Sequence, residues 1–177
     1  MRKASPIPRR KPRLRRPRTS WTLTGANVAP TVVDNGTLNV GGSLDVSTAI
    51  DPSSVGIFNL TSSSTLDVAA ALGTKTQIAF ASGGDLMIDN TGSFGINVGT
   101  TAYAGPLLDG FGAGAGIDLT HFAATGATLN FNSTTGLLQI TNGTEQSASL
   151  SFQTASLGTG SFHIASDGGA GALLTHS

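Results

Sequence analysis

From Trp21 onward the chain is built of short runs in which apolar and polar residues alternate, each closed by Gly, Asn, Ser or Asp. That is the period-two pattern of strands separated by turns. Thr37-Leu38-Asn39-Val40 precedes Gly41-Gly42, and Ser43-Leu44-Asp45-Val46 and Thr65-Leu66-Asp67-Val68 repeat the form. Residues 77–80, 85–88 and 93–98 continue it. Each run sets apolar side chains on one face and polar ones on the other. Residues 68–72, Val-Ala-Ala-Ala-Leu, are the one briefly helical stretch, predicted as a single turn at most.

Successive runs are unevenly spaced, with Leu38 and Leu44, Leu66 and Ile78, and Leu86 and Phe94 at three different separations. A strict short repeat is therefore not expected, which leaves an irregular solenoid or a sandwich. The scarcity of charge, 11% of residues, favours the solenoid. In a parallel stack equivalent positions lie about 4.8 Å apart, where like charges repel by about 1 kcal/mol even in a water-like dielectric. Ser, Thr, Asn and Gly avoid that repulsion, and stacked Asn side chains add hydrogen bonds. Ser and Thr together supply 42 of the 177 residues and Gly another 24.

The last third reads as hairpins: residues 127–131 and 137–140 around Asn132-Ser133-Thr134-Thr135-Gly136, then a turn at 142–145. Residues 148–152, 161–164 and 172–175 follow as further strands, with Asp167-Gly168-Gly169 between the last two. A sequence-local antiparallel end would cover the last rung of a parallel stack. The predicted class is all-β: an irregular parallel β-solenoid (β-helix) with an antiparallel hairpin cap at the C-terminus, preceded by a disordered basic arm. The expected divisions are 1–20 for the arm, 21–110 for the rungs and 111–177 for the cap.

Charge sets the arm apart. The net charge is zero, yet nine of the ten basic residues fall within positions 1–18 and all ten acidic residues lie between Asp34 and Asp167. Four of the seven prolines (Pro6, Pro8, Pro12, Pro17) sit among those like charges, a composition that builds neither helix nor core. Such an arm suits phosphate backbones or an anionic surface, although it lacks interleaved aromatic residues. Ser20-Trp21-Thr22-Leu23-Thr24-Gly25 is not the apolar core of a secretory signal. No run approaches the roughly 18 apolar residues of a membrane helix, so no transmembrane span is expected. The absence of cysteine removes disulfides, thiolate metal sites and cysteine nucleophiles.

Gly110-Phe111-Gly112-Ala113-Gly114-Ala115-Gly116-Ile117-Asp118-Leu119-Thr120, then Thr134-Thr135-Gly136-Leu137-Leu138-Gln139-Ile140, then the run from Phe162 to Thr175 through Asp167-Gly168-Gly169 form a consistent set. Together they resemble the C-terminal module of large bacterial secreted β-strand-repeat surface proteins, autotransporter-like and type I-secreted, over roughly residues 105–177. The resemblance implies an extracellular, adhesin-like or surface-layer role, as the terminal fragment of a longer parent solenoid. It also implies partners among cell-surface or matrix polysaccharides or proteins.

Catalytic and metal-binding candidates are sparse. His121, His163 and His176 fall on an expected loop, a strand and a frayed terminus, without metal-site spacing. No Gly-x-Ser-x-Gly elbow occurs, and Gly160-Ser161-Phe162 fails at its closing position. A polysaccharide-acting β-helix enzyme would need paired carboxylates, for which Asp109 with Asp118 and Asp85 with Asp89 are the candidates. One Trp, one Tyr and no Arg after residue 18 speak against it. Gly83-Gly84-Asp85-Leu86 and Asp167-Gly168-Gly169-Ala170-Gly171 resemble parts of a calcium-binding glycine-aspartate repeat, but each supplies one carboxylate where calcium takes 6–8 oxygens. Ordinary turns account for them as well. Four Asn-x-Ser/Thr sequons, at Asn35, Asn59, Asn132 and Asn142, are expected to mark exposed turns. The expectation is a non-enzymatic structural or adhesive protein without catalytic, metal or cofactor residues. A nucleic-acid-associated protein using the arm, and the carbohydrate enzyme, stand as alternatives.

Overall fold

A computed structural model describes residues 20–23, 26–28, 35–81 and 83–177. The expected basic arm lies outside the described residues, apart from Ser20 in the first strand. Fifteen strands occur among the described residues: β1 (Ser20–Leu23), β2 (Ala26–Val28), β3 (Thr37–Val40), β4 (Ser43–Val46), β5 (Ile57–Leu60), β6 (Thr65–Val68), β7 (Gln77–Phe80) and β8 (Gly84–Ile88) come first. Then follow β9 (Leu107–Asp109), β10 (Ala115–Leu119), β11 (Thr128–Asn132), β12 (Leu137–Thr141), β13 (Ser147–Phe152), β14 (Phe162–Ser166) and β15 (Ala172–His176). Among the described residues helix is confined to a 3-10 turn at Thr91–Ser93 and one turn, α1 (Thr154–Leu157). The protein is all-β.

The strands form two mixed, mostly parallel sheets, neither closed into a barrel. One has the order β1-β3-β5-β7-β9-β13-β12-β11 and the other β14-β15-β10-β8-β6-β4-β2. Through β10 the chain alternates between the sheets, and each strand pairs in parallel with the strand two before it. The register repeats. Leu38 faces Phe58, Phe58 faces Ile78 and Ile78 faces Leu108, while Leu44, Leu66, Leu86 and Ile117 form the matching column opposite. Leu38, Phe58 and Ile78 recur every 20 residues. This interval is hidden when consecutive runs are compared, because consecutive runs belong to different sheets.

Strict alternation of burial follows. Leu44 and Val46, Leu60, Leu66, Ile78 and Leu86 are buried between the sheets, and Asn39, Asp45, Asn59 and Asp67 face outward. Burying one such Leu or Ile contributes about 1.5–3 kcal/mol, so the repeated columns supply most of the cohesion. Toward the C-terminus the core becomes aromatic. Phe80 meets Phe111 at 5.2 Å, Phe111 meets Phe152 at 5.4 Å, and Phe152 meets Phe162 at 4.9 Å.

Antiparallel pairing finishes both sheets, as the hairpin pattern of the last third anticipates. β13, itself parallel to β9, pairs with β12 and β12 with β11, while β10 pairs with β15 and β15 with β14. Parallel pairing continues past residue 110, since β10 and β13 both extend it.

Two local expectations are corrected. Residues 93–98 are not a strand. Asn90 Oδ1 accepts the Gly92 N–H at 3.1 Å and starts a 3-10 turn, and Gly95 (φ +135°) and Asn97 (φ +56°) then prevent an extended run. Ile96 keeps a single bridge to Ala104, and the Tyr103 hydroxyl donates to the Phe94 carbonyl at 2.6 Å. Residues 68–72 are not helical either. Val68 ends β6, and the Ala71 carbonyl accepts the Ile50 N–H at 3.0 Å, so the backbone bonds of this stretch go to a neighbouring segment.

Candidate functional site

Two outward sheet faces and one end of the stack hold the side chains with chemical capacity. On the eight-stranded sheet the Asn59 side-chain amide donates to Asn39 Oδ1 at 2.8 Å, a bond between Asn residues in register on parallel strands. Farther along, Gln77 Nε2 donates to Asp109 Oδ2 at 2.7 Å. This face mixes polar with apolar positions, Ile57, Ala79 and Leu107 among the latter, and Asp109 is the acidic residue among its outward strand positions in the described part of β3, β5, β7 and β9.

The seven-stranded sheet differs. Asp45 lies beside Asp67 in register, Asp118 pairs beyond Met87 in the same column, and Asp85 and Asp89 flank that column on β8 and just after it. Avoidance of stacked charge, expected from composition, therefore fails on this face. Burial pushes the Asp67 carboxyl above its ordinary value, and the charges of Asp89 and Asp45 push it further. Asp118 rises for the same leading reason, with Asp167, Asp85 and Asp89 adding to it. Asp67 Oδ1 and Asp118 Oδ1 are buried and unpartnered among the described residues. The low density of charge in the chain as a whole leaves room for this local concentration.

The proposed carboxylate pairs are not brought together. Asp109 sits on the outer face of one sheet and Asp118 on the outer face of the other, with the core between them. Asp85 and Asp89 share a face but are four residues apart along extended chain, about 13 Å at ~3.3 Å per residue. Glycosidases use separations of roughly 5–9.5 Å.

The glycine-aspartate fragments serve turns. Asp167 Oδ1 accepts the Gly169 N–H at 2.6 Å and the Gly171 N–H at 3.2 Å, closing the loop between β14 and β15. Gly83 and Gly84 hold φ of +96° and +101° where the chain enters β8. Among the described residues no group of three or more His, Asp or Glu is arranged to hold a metal ion.

Of the sequons, Asn35 and Asn132 are exposed, and Asn132 Oδ1 accepts the Thr134 N–H at 3.0 Å within its turn. Asn59 is instead a ladder residue inside β5. Asn142 is half-buried and spends its amide on the Ala123 carbonyl at 2.9 Å and on Gln146 Oε1 at 2.7 Å.

The histidines separate into three situations. His163 is exposed on β14. His121 is exposed after β10, where the Thr120 hydroxyl lies 2.9 Å from His121 Nδ1 and donates to Asp89 Oδ1 at 2.9 Å. One hydroxyl proton serves one acceptor, so Nδ1 carries the hydrogen in the first contact. His176 departs most from expectation. It is not a frayed end but the last residue of β15, 6% exposed, and it points inward with Ala172 and Leu174. The alternation of residues 172–176 carries that signal once the strand is extended by one position.

No family model matches this sequence, and no curated protein matches it. Among the described residues no helix is long and apolar enough to cross a membrane.

Proposed function

We propose that this chain is a section of extracellular β-solenoid, a non-enzymatic structural and adhesive element belonging to a longer secreted surface protein. One observation carries the reading. Strands alternate between two sheets and stack in parallel on their second neighbours, so that Leu38, Phe58, Ile78 and Leu108 fall in one column and Asn39 bonds Asn59 on the outside. Such a stack grows along one axis by about 4.8 Å per strand, which suits a spacer or rod. The likeness of residues 105–177 to secreted β-strand-repeat modules supplies the extracellular part of the reading.

Adhesion on this reading is weak per site and gains strength by repetition along the parent. Candidate partners are the polysaccharides or proteins of a cell surface or matrix. The test compares the full chain with a tandem of two copies on immobilised neutral polysaccharide and on matrix protein. The tandem is expected to be retained on the order of a hundredfold longer. Equal retention would remove the adhesive reading, and oligonucleotide binding that falls steeply with salt and is lost on deleting residues 1–18 would replace it with the nucleic-acid one.

A further inference from the structure

At the C-terminal end the outermost strands β11 and β14 of the two sheets bound a cleft of about 560 Å³, within the range of small-molecule sites. Its floor is apolar: Leu129, Phe131, Leu138 and Phe162 line it, and the Phe131 and Phe162 rings meet edge to face at 4.9 Å. Both rings are only half-buried, which leaves apolar surface open to an occupant. The rim carries the hydroxyls of Ser133, Thr154, Thr159 and Ser161.

His176 stands at this cleft with its ring against Phe162 at 4.9 Å. The residue is 6% exposed and lines the cleft, and its ring nitrogens are not among the buried side-chain atoms left without a partner, so they are open to an occupant from the cleft side. An imidazole offers at least one donor, which an occupant of the cleft can meet in place of water. Gly160 keeps the space beside the ring clear, since a Cβ there would lie 2.8 Å from His176 Cε1.

Among the described residues no Asp, Glu, Lys or Arg lines the cleft, so a formal charge on a ligand would be desolvated without a counter-charge. The groups that do line it pair an apolar floor with hydroxyls and one imidazole. We propose that this cleft binds the terminal ring of a neutral saccharide, the C–H face lying on Phe131 and Phe162 and a ring hydroxyl bonding to His176. The proposal deepens the adhesive reading above and takes its biological role from it, while the binding chemistry rests on the cleft alone.

The experiment titrates the full ¹⁵N-labelled chain with neutral methyl hexosides and their uncharged oligosaccharides, with a methyl hexuronide for comparison, and follows the histidine ring resonances. His176 is expected to shift while His121 and His163 do not, and the hexuronide is expected to bind more weakly. His176→Phe, which keeps the ring volume, should weaken binding about tenfold or more. Gly160→Ala should do so with the imidazole still present. Static His176 resonances, undiminished binding by folded His176→Phe, or equal binding of the hexuronide would overturn the proposal. Loss of the cleft titration with tandem retention intact removes this site and leaves the adhesive reading. The converse removes the adhesive reading and leaves the site.

Discussion

Asp45 and Asp67 are direct neighbours across β4 and β6, two carboxylates in register on one outward face. Asp67 is raised first by burial and then by the charges of Asp89 and Asp45. Because its folded value lies above the ordinary 3.8, its ionisation favours the unfolded chain. This stability is present below the unfolded value and is lost as pH rises through the interval up to the folded one. Asp118 acts in the same direction. Acidification from neutral pH through that interval should therefore raise the denaturation midpoint as far as these two groups govern it. Asp67→Asn should raise stability at pH 7 by on the order of 0.5 kcal/mol, and added salt should shrink the part of the difference owed to Asp89 and Asp45. A variant less stable than the parent at pH 7 in urea titration would refute this account.

Asn39 and Asn59 carry the corresponding test on the other face. Removing the 2.8 Å side-chain bond by Asn59→Ala should cost about 1 kcal/mol. Asn59→Asp should cost more at pH 7 than at pH 3, because the new acceptor faces Asn39 Oδ1. Paired urea titrations at the two pH values read the difference.

The buried columns should respond more strongly. Phe58 is 1% exposed between Leu38 and Ile78, so Phe58→Ala should destabilise by about 3–5 kcal/mol, whereas Ile78→Val should cost only about 0.5–1.5 kcal/mol. Denaturant midpoints measured at constant slope distinguish the two.

Gly136 ends the β11–β12 turn with φ +75°, and a Cβ there would run into the Phe152 carbonyl oxygen. That position already uses its backbone twice, donating to the Asn132 carbonyl and accepting from Phe152, both at 2.8 Å. Gly136→Ala should therefore cost about 2 kcal/mol or more, whereas Gly112→Ala, with open space around it, should be close to neutral. Thermal midpoints of the two variants provide the comparison.

What the sequence discloses here is set by which signals are local. Thr37–Val40, Ser43–Val46 and Thr65–Val68 alternate cleanly, and their strands are legible without the fold. Ile57–Leu60 is obscured because Ile57 puts an apolar residue outward, and Ala115–Leu119 because Gly116 gives no polar outward side chain. The 20-residue recurrence needs knowledge of which runs share a sheet. Stacking of Asp45 on Asp67 is likewise a matter of register. His176 resembles a chain end in sequence, and its burial comes from Phe162 and the loop at Gly160, which only the tertiary arrangement brings to it.

The segment between Asp89 and Leu107 lengthens the register interval, which is 20 residues between Phe58 and Ile78 and 30 between Ile78 and Leu108, with Phe94 buried and Tyr103 bonded to its carbonyl. It also reaches β13, where Gly99 N–H donates to Ser149 Oγ at 2.8 Å and Thr91 Oγ1 to the Ser147 carbonyl at 3.3 Å. Storeys of equal height are interchangeable, so a chain of identical storeys could settle one level out of step with little change in contacts. An odd-sized storey that fastens to one particular strand breaks that degeneracy. Fastened to β13 in this way, the insertion should help fix which strands pair, and shortening it should yield mispaired strands as well as lower stability.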